Sequence, residues 1–118
     1  MLRPYKSWRH RYLWFNDPDL KSYLLEHMER VPYRGFGEFH VFGDDADSIP
    51  IDEMIDVARE LNLALHPLTD LLGLRLLLNK APDVLIMWSH GVFDVPVATL
   101  QVLLDSYPLL YIELSLRE

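Results

Sequence analysis

Along most of this chain the apolar residues fall into short blocks whose spacing switches between two periods. Gly35-Phe36-Gly37-Glu38-Phe39-His40-Val41-Phe42 alternates aromatic or apolar residues with small or polar ones and runs into Gly43-Asp44-Asp45, a strand and then a turn. Ile51, Met54, Ile55, Ala58 and Leu61 follow the i, i+3, i+4, i+7 spacing of a helical face, with Asp52, Glu53, Asp56, Arg59 and Glu60 opposite. Ser48 or Asp47 is placed to cap that helix, and Pro50 suits its first turn, where an N–H has no intrahelical acceptor. Leu63-Ala64-Leu65-His66 reads as a short buried strand that Pro67 ends, because proline lacks the donor a central ladder needs. Thr69 or Asp70 caps a leucine-rich helix through about Lys80, and Ala81-Pro82-Asp83 breaks it. Val84 to His90 is nearly continuous in apolar residues, the pattern of a strand covered on both faces. After Gly91, Asp94 caps a helix through Val97, Leu100, Val102, Leu103 and Leu104, ended by Tyr107-Pro108. Leu109 to Ser115 forms the last strand. Upstream, Asn16-Asp17-Pro18-Asp19 starts a helix from Leu20 to about Arg30.

The strand ends share a feature. His40, His66, His90 and Ser115 stand about 25 residues apart, the length of a βα unit. Repeated units of that length imply parallel strands joined by right-handed helical crossovers. The expected architecture is therefore α/β, about four parallel βα units in one domain spanning residues 1–118. Residues 1–34 form an aromatic N-terminal segment plus a helix, and 35–118 the repeated units. Polar residues then gather at the carboxyl ends of the strands, where α/β proteins place their sites.

Composition narrows the function classes. Half of the residues are hydrophobic, enough for a packed core and contrary to a disordered tail. No apolar run approaches the ~20 residues that cross a bilayer, and the basic N-terminus has no apolar segment after it, so neither a membrane span nor a signal peptide is expected. The absence of cysteine removes disulfides and thiolate metal sites, and fits a reducing cytoplasm. A net charge of −7 argues against a nucleic-acid partner, which needs a basic face. Arg3, Lys6, Arg9, His10 and Arg11 are interleaved with Tyr5, Trp8, Tyr12 and Trp14. That mix could stack on bases or line a pocket for anions; the plainer reading is a solvated segment with its aromatics packed inward.

Leu2-Arg3-Pro4-Tyr5, Trp14-Phe15-Asn16-Asp17-Pro18, Gly35-Phe36-Gly37-Glu38-Phe39-His40, Leu65-His66 with Asp70, Trp88-Ser89-His90-Gly91, and Tyr107-Pro108 followed by Glu113-Leu114-Ser115 occur in that order. Together they resemble the amidohydrolase superfamily of metal-dependent TIM-barrel hydrolases. The likeness runs over nearly the whole chain and implies a central portion of the barrel, roughly strands four to seven. It also implies a divalent metal, zinc or manganese, with Glu38 in the region of the strand-four carboxylate and His66 and His90 at the strand-five and strand-six histidines. The family's His-x-His pair on strand one and its aspartate on strand eight have no counterpart in this sequence. Where relatives read His-Ala-His-Ser-Asp, this chain has His66-Pro67-Leu68-Thr69-Asp70, with Leu68 in place of the second histidine.

Two histidines and a carboxylate form a catalytic zinc's usual donor set, and the ion lowers the pKa of its water to ~7. Asp70 is the nearby substitute for the missing base and hence the catalytic candidate. His40, two residues after Glu38 on the same side of the strand, is a lesser metal candidate; His10 and His27 are expected on exposed segments without a catalytic role. The competing reading makes these residues remnants held by hydrogen bonds. Four strands leave two unpaired edges and an inner face lined by Phe39, Met87 and Ile112, so self-association is expected, as a homodimer that completes a barrel. The alternative is an open, flavodoxin-like sheet with helices on both faces. The functional expectation is a truncated or degenerate amidohydrolase-like domain, with a small molecule as a ligand, lacking full activity alone; the alternative is a metal-dependent hydrolase of a small amide, ester or carboxylated substrate, active as an oligomer.

Overall fold

The computed structural model describes residues 1–92 and 95–115. Two short 3-10 turns, Trp8–Tyr12 and Trp14–Asn16, lead into α1 (Leu20–Arg30). Strands and helices then alternate: β1 (Gly35–His40), α2 (Ile49–Leu61), β2 (Ala64–Leu68), α3 (Leu71–Lys80), β3 (Ile86–Trp88), α4 (Val97–Ser106) and β4 (Leu110–Ile112). Helix starts follow local chemistry. The Ser48 hydroxyl accepts from the Ile51 N–H at 3.3 Å, with Pro50 in the first turn, and Asp70 accepts from the Gly73 N–H at 2.9 Å. Asn62 closes α2 in the left-handed conformation (φ 55°), its N–H on the Ala58 carbonyl, a role asparagine tolerates. The cap expected at Asp94 lies outside the described residues; α4 begins after Pro96. Among the described residues no helix is long and apolar enough to cross a membrane.

All four strands are parallel and lie in chain order, β1-β2-β3-β4. Right-handed crossovers between sequential neighbours all pass over the same side of a sheet, so the helices cover one face. Register bears this out. Phe36, Leu65, Ile86 and Leu110 form one cross-strand row and are at most 4% exposed. On the opposite row Ala64, His66, Leu68 and Met87 are half-buried and Tyr111 is 55% exposed. The architecture is thus α/β, wound in one direction like a barrel segment, and not the doubly wound order of a flavodoxin-like sheet. β3 is accordingly not covered on both faces as its apolar run suggests: Ile86 and Trp88 are buried, while Met87 between them faces the open side.

Two further expectations change for local reasons. Pro67 lies inside β2 rather than ending it. The preceding N–H on that flank, at Leu65, bonds to the Leu85 carbonyl, and pairing with β3 goes no further than Leu65–Ile86. The donor that proline lacks therefore faces a flank where the ladder has already stopped. In β1 the register slips between Gly37 and Phe39, so Glu38 is an extra residue, a bulge that re-aims the side chains after it. Phe39 then pairs with Pro67 and Ile112 pairs with Trp88, both on the helix-covered side. Of the three residues expected on the inner face, only Met87 sits there.

The sheet also lacks one of its two expected open edges. Leu2 bridges Phe36, donating to the Gly35 carbonyl at 2.8 Å and accepting from the Gly37 N–H at 2.9 Å. Farther along, the Tyr5 hydroxyl lies 3.5 Å from the Glu38 carbonyl and the Trp14 indole N–H donates to the His40 carbonyl at 3.0 Å. The N-terminal segment thus satisfies the outer flank of β1 along its length, with Tyr5, Trp14 and Phe15 buried against Phe39 and one another.

Candidate functional site at the carboxyl ends of the strands

The polar residues singled out in the sequence do gather at one end of the sheet, in two linked groups. Glu38 is presented by the β1 bulge. Its Oε1 lies 3.3 Å from His40 Nε2, and its Oε2 accepts from the Ser89 hydroxyl at 2.9 Å. Ser89, fully buried at the end of β3, therefore ties β1 to β3 across the end of β2. Both Glu38 oxygens are engaged within the protein, and its side chain is 30% exposed.

Next in sequence, His90 takes the left-handed conformation (φ 59°), uncommon for a residue with a Cβ, though histidine is among the types enriched there. Its geometry turns the ring toward the end of β4. Nδ1 lies 2.8 Å from the Ser115 carbonyl, 3.0 Å from the Ser115 hydroxyl and 3.0 Å from Glu113 Oε2. A carbonyl only accepts, so Nδ1 carries a proton in this arrangement. The His90 backbone N–H donates to Glu113 Oε2 at 3.2 Å, and the Ser115 N–H donates to Glu113 Oε1 at 2.5 Å.

His66, on β2, is paired in register with Gly37. Its Nε2 is buried and has no hydrogen-bond partner, as is true of the Thr69 hydroxyl. An orphaned buried polar atom costs about 1–3 kcal/mol, so both positions are unusual in a packed fold. Asp70 has a different occupation from the one expected of a general base. Its Oδ1 accepts from the N–H groups of both Gly43 and Gly73, at 2.8 and 2.9 Å, capping α3 and holding the turn after β1. Among the described residues no three His, Asp or Glu side chains come together closely enough to hold a metal ion. Here Glu38 turns to Ser89 and His40, and His90 to β4. His10 lies on the N-terminal segment and His27 on α1, with Nδ1 on Ser7 and on the Tyr23 carbonyl respectively.

No family model, curated protein or solved structure matches this chain. The site therefore rests on its own geometry. Sequence reasoning named Glu38, His40, His66 and His90 but gave Ser89 and Glu113 no role. Ser89 was legible only as the residue before a strand-end histidine, and Glu113 only as a polar interruption of an apolar strand.

The hydrogen bonds from Ser115, followed by the N–H and ring of His90, hold the Glu113 carboxyl below the usual carboxylate range. A depressed folded pKa means that this carboxylate adds stability above its unfolded pKa, near 4.3, and that the contribution fades as pH falls through the lower folded value. Acidification through that window is expected to loosen the His90–Ser115 contact before the core. Amide exchange or NMR at His90 and Ser115 will show it, and Glu113→Gln will abolish the pH response there.

Proposed function

We propose that this chain is an amidohydrolase-like α/β domain that keeps the strand-end polar cluster of a hydrolase but carries no complete hydrolytic centre of its own, and that the cluster serves small-molecule binding. The observation that carries this reading is the commitment of Glu38: both its oxygens are taken by Ser89 and His40. Asp70 is likewise committed as a helix cap. A metal-bridging carboxylate would have to give up the Glu38 bonds to act. A cytoplasmic setting goes with this reading, since a chain without cysteine needs no oxidising compartment.

A second reading, metal-dependent hydrolysis of a small amide, ester or carboxylated substrate by an oligomer, is favoured by one specific observation. His66 Nε2 is buried without a partner, as an imidazole that awaits zinc or manganese would be. A homodimer supplying further ligands would use the β4 edge or the open face, because the outer flank of β1 is already bonded to Leu2, Tyr5 and Trp14. Elemental analysis after incubation with excess zinc or manganese separates the two readings. The first expects no stoichiometric metal. One equivalent per chain, lost in the His66→Ala, His90→Ala double variant, overturns it in favour of the second.

A further inference from the structure

Between the N-terminal segment and α1, beside the end of β1, lies a cavity of about 200 Å³ that opens to solvent. Its floor is aromatic: Tyr5 and Trp14 are buried, their rings 5.9 Å apart, and Tyr23 also lines it. Its rim carries Lys6 and His10 beside Asp17. Lys6 Nζ stands 5.9 Å from the centroid of the Tyr23 ring, and His10 is oriented by Ser7, whose hydroxyl lies 3.0 Å from Nδ1. Asp17 also lines the rim, with its Oδ1 occupied by the Asp19 N–H at 2.9 Å. The surrounding sequence reinforces the sign: Arg3, Lys6, Arg9 and Arg11 precede the first acidic residue, Asp17, in a chain of net charge −7. A basic mouth on an acidic protein focuses potential where a small anion would enter.

We propose that this cavity binds a small aromatic carboxylate, its ring on Tyr5, Trp14 and Tyr23 and its carboxylate at Lys6 and His10. The volume suits one ring with a short acidic substituent. An apolar pocket with a few convergent polar groups is the usual form of a small-molecule site, and a flat ring gains from offset or edge contacts with aromatic walls. The carboxylate supplies the charge-assisted bonds that select it over a neutral ring. Because the Trp14 indole also donates to the His40 carbonyl, a ligand on the floor would be sensed at the end of β1.

Calorimetric titration of the full chain with benzoate, and separately with neutral benzamide, tests the proposal, with NMR of the Trp14 indole N–H as a second readout. Saturable one-to-one benzoate binding is expected, shifting the indole resonance, with benzamide weaker by about tenfold or more. Lys6→Gln, an exposed position, is expected to weaken benzoate by about tenfold and leave benzamide unchanged, while Lys21→Gln, outside the cavity, changes neither. Absence of saturable benzoate binding, equal affinity for the two probes, or indifference to Lys6→Gln would each overturn it.

Discussion

Replacing Gly37 by alanine is expected to destabilise the fold by about 3 kcal/mol or more, a large share of the roughly 5–15 kcal/mol that holds a domain together. Gly37 has φ 154°, in a region that a side chain rarely enters. A Cβ there would lie 2.5 Å from His66 Cβ and 2.7 Å from the His66 carbonyl oxygen. Neither obstacle is the end of a flexible side chain, so β1 and β2 would have to part at the place where the bulge begins. Melting followed by circular dichroism should show a loss of roughly 10 °C or more. The displacement would also move Glu38 away from Ser89, so the Ser89 and His90 amides should shift even where the variant stays folded. A variant melting within a few degrees of the parent would show that β1 does not approach β2 this closely.

Trp88→Ala is expected to cost about 3–5 kcal/mol, the range for deleting a fully buried large side chain. Trp88 is 0% exposed and its indole N–H donates to the Thr69 carbonyl at 2.9 Å. That bond lies beyond the point where backbone pairing between β2 and β3 ends, so the indole fastens the two strands where the ladder does not. Trp88→Phe separates the contributions. It keeps most of the apolar volume but leaves the buried Thr69 carbonyl without this donor, for an expected loss of about 1–2 kcal/mol. Chemical denaturation of both variants measures the difference; equal losses would mean that packing alone accounts for the position.

These two residues mark where the sequence could and could not be read. The helices were legible because their signals are local: the stripe from Ile51 to Leu61, Ser48 and Asp70 at the caps, and Pro108 after α4. The α/β class followed from the regular spacing of His40, His66, His90 and Ser115. What escaped depends on contacts between elements. The apolar run from Val84 to Trp88 suggested burial on both faces, but a sheet wound in chain order leaves one face open whatever its strands contain. Pro67 looked like a strand end because its tolerance depends on how far β3 pairs, and no residue near Pro67 encodes that. The bulge at Glu38 put Phe39 on the helix-covered side, and the β3–β4 register did the same for Ile112.

The candidate site shows the same division. Positions of Glu38, His66 and His90 at strand ends were evident from spacing, yet their hydrogen-bond allegiance was not. Side chains at neighbouring strand ends can converge on one ion or turn to separate partners. Ser89 and Glu113, which decide between those outcomes, carry no distinctive pattern. Asp70 shows the ambiguity at a single residue, since an aspartate after a strand serves equally as a base or as a helix cap.

The bonded outer flank of β1 also determines how copies of this molecule can accumulate. Extension of a sheet into a fibre requires each member to offer one flank and accept on the other. Here Leu2, Tyr5 and Trp14 occupy one flank, which leaves β4 as the single accepting strand edge among the described residues. Two copies meeting through β4 about a two-fold axis would exhaust each other. The N-terminal segment therefore acts as a chain terminator for main-chain polymerisation, and shortening it past Trp14 is the change that would give the molecule a second valence.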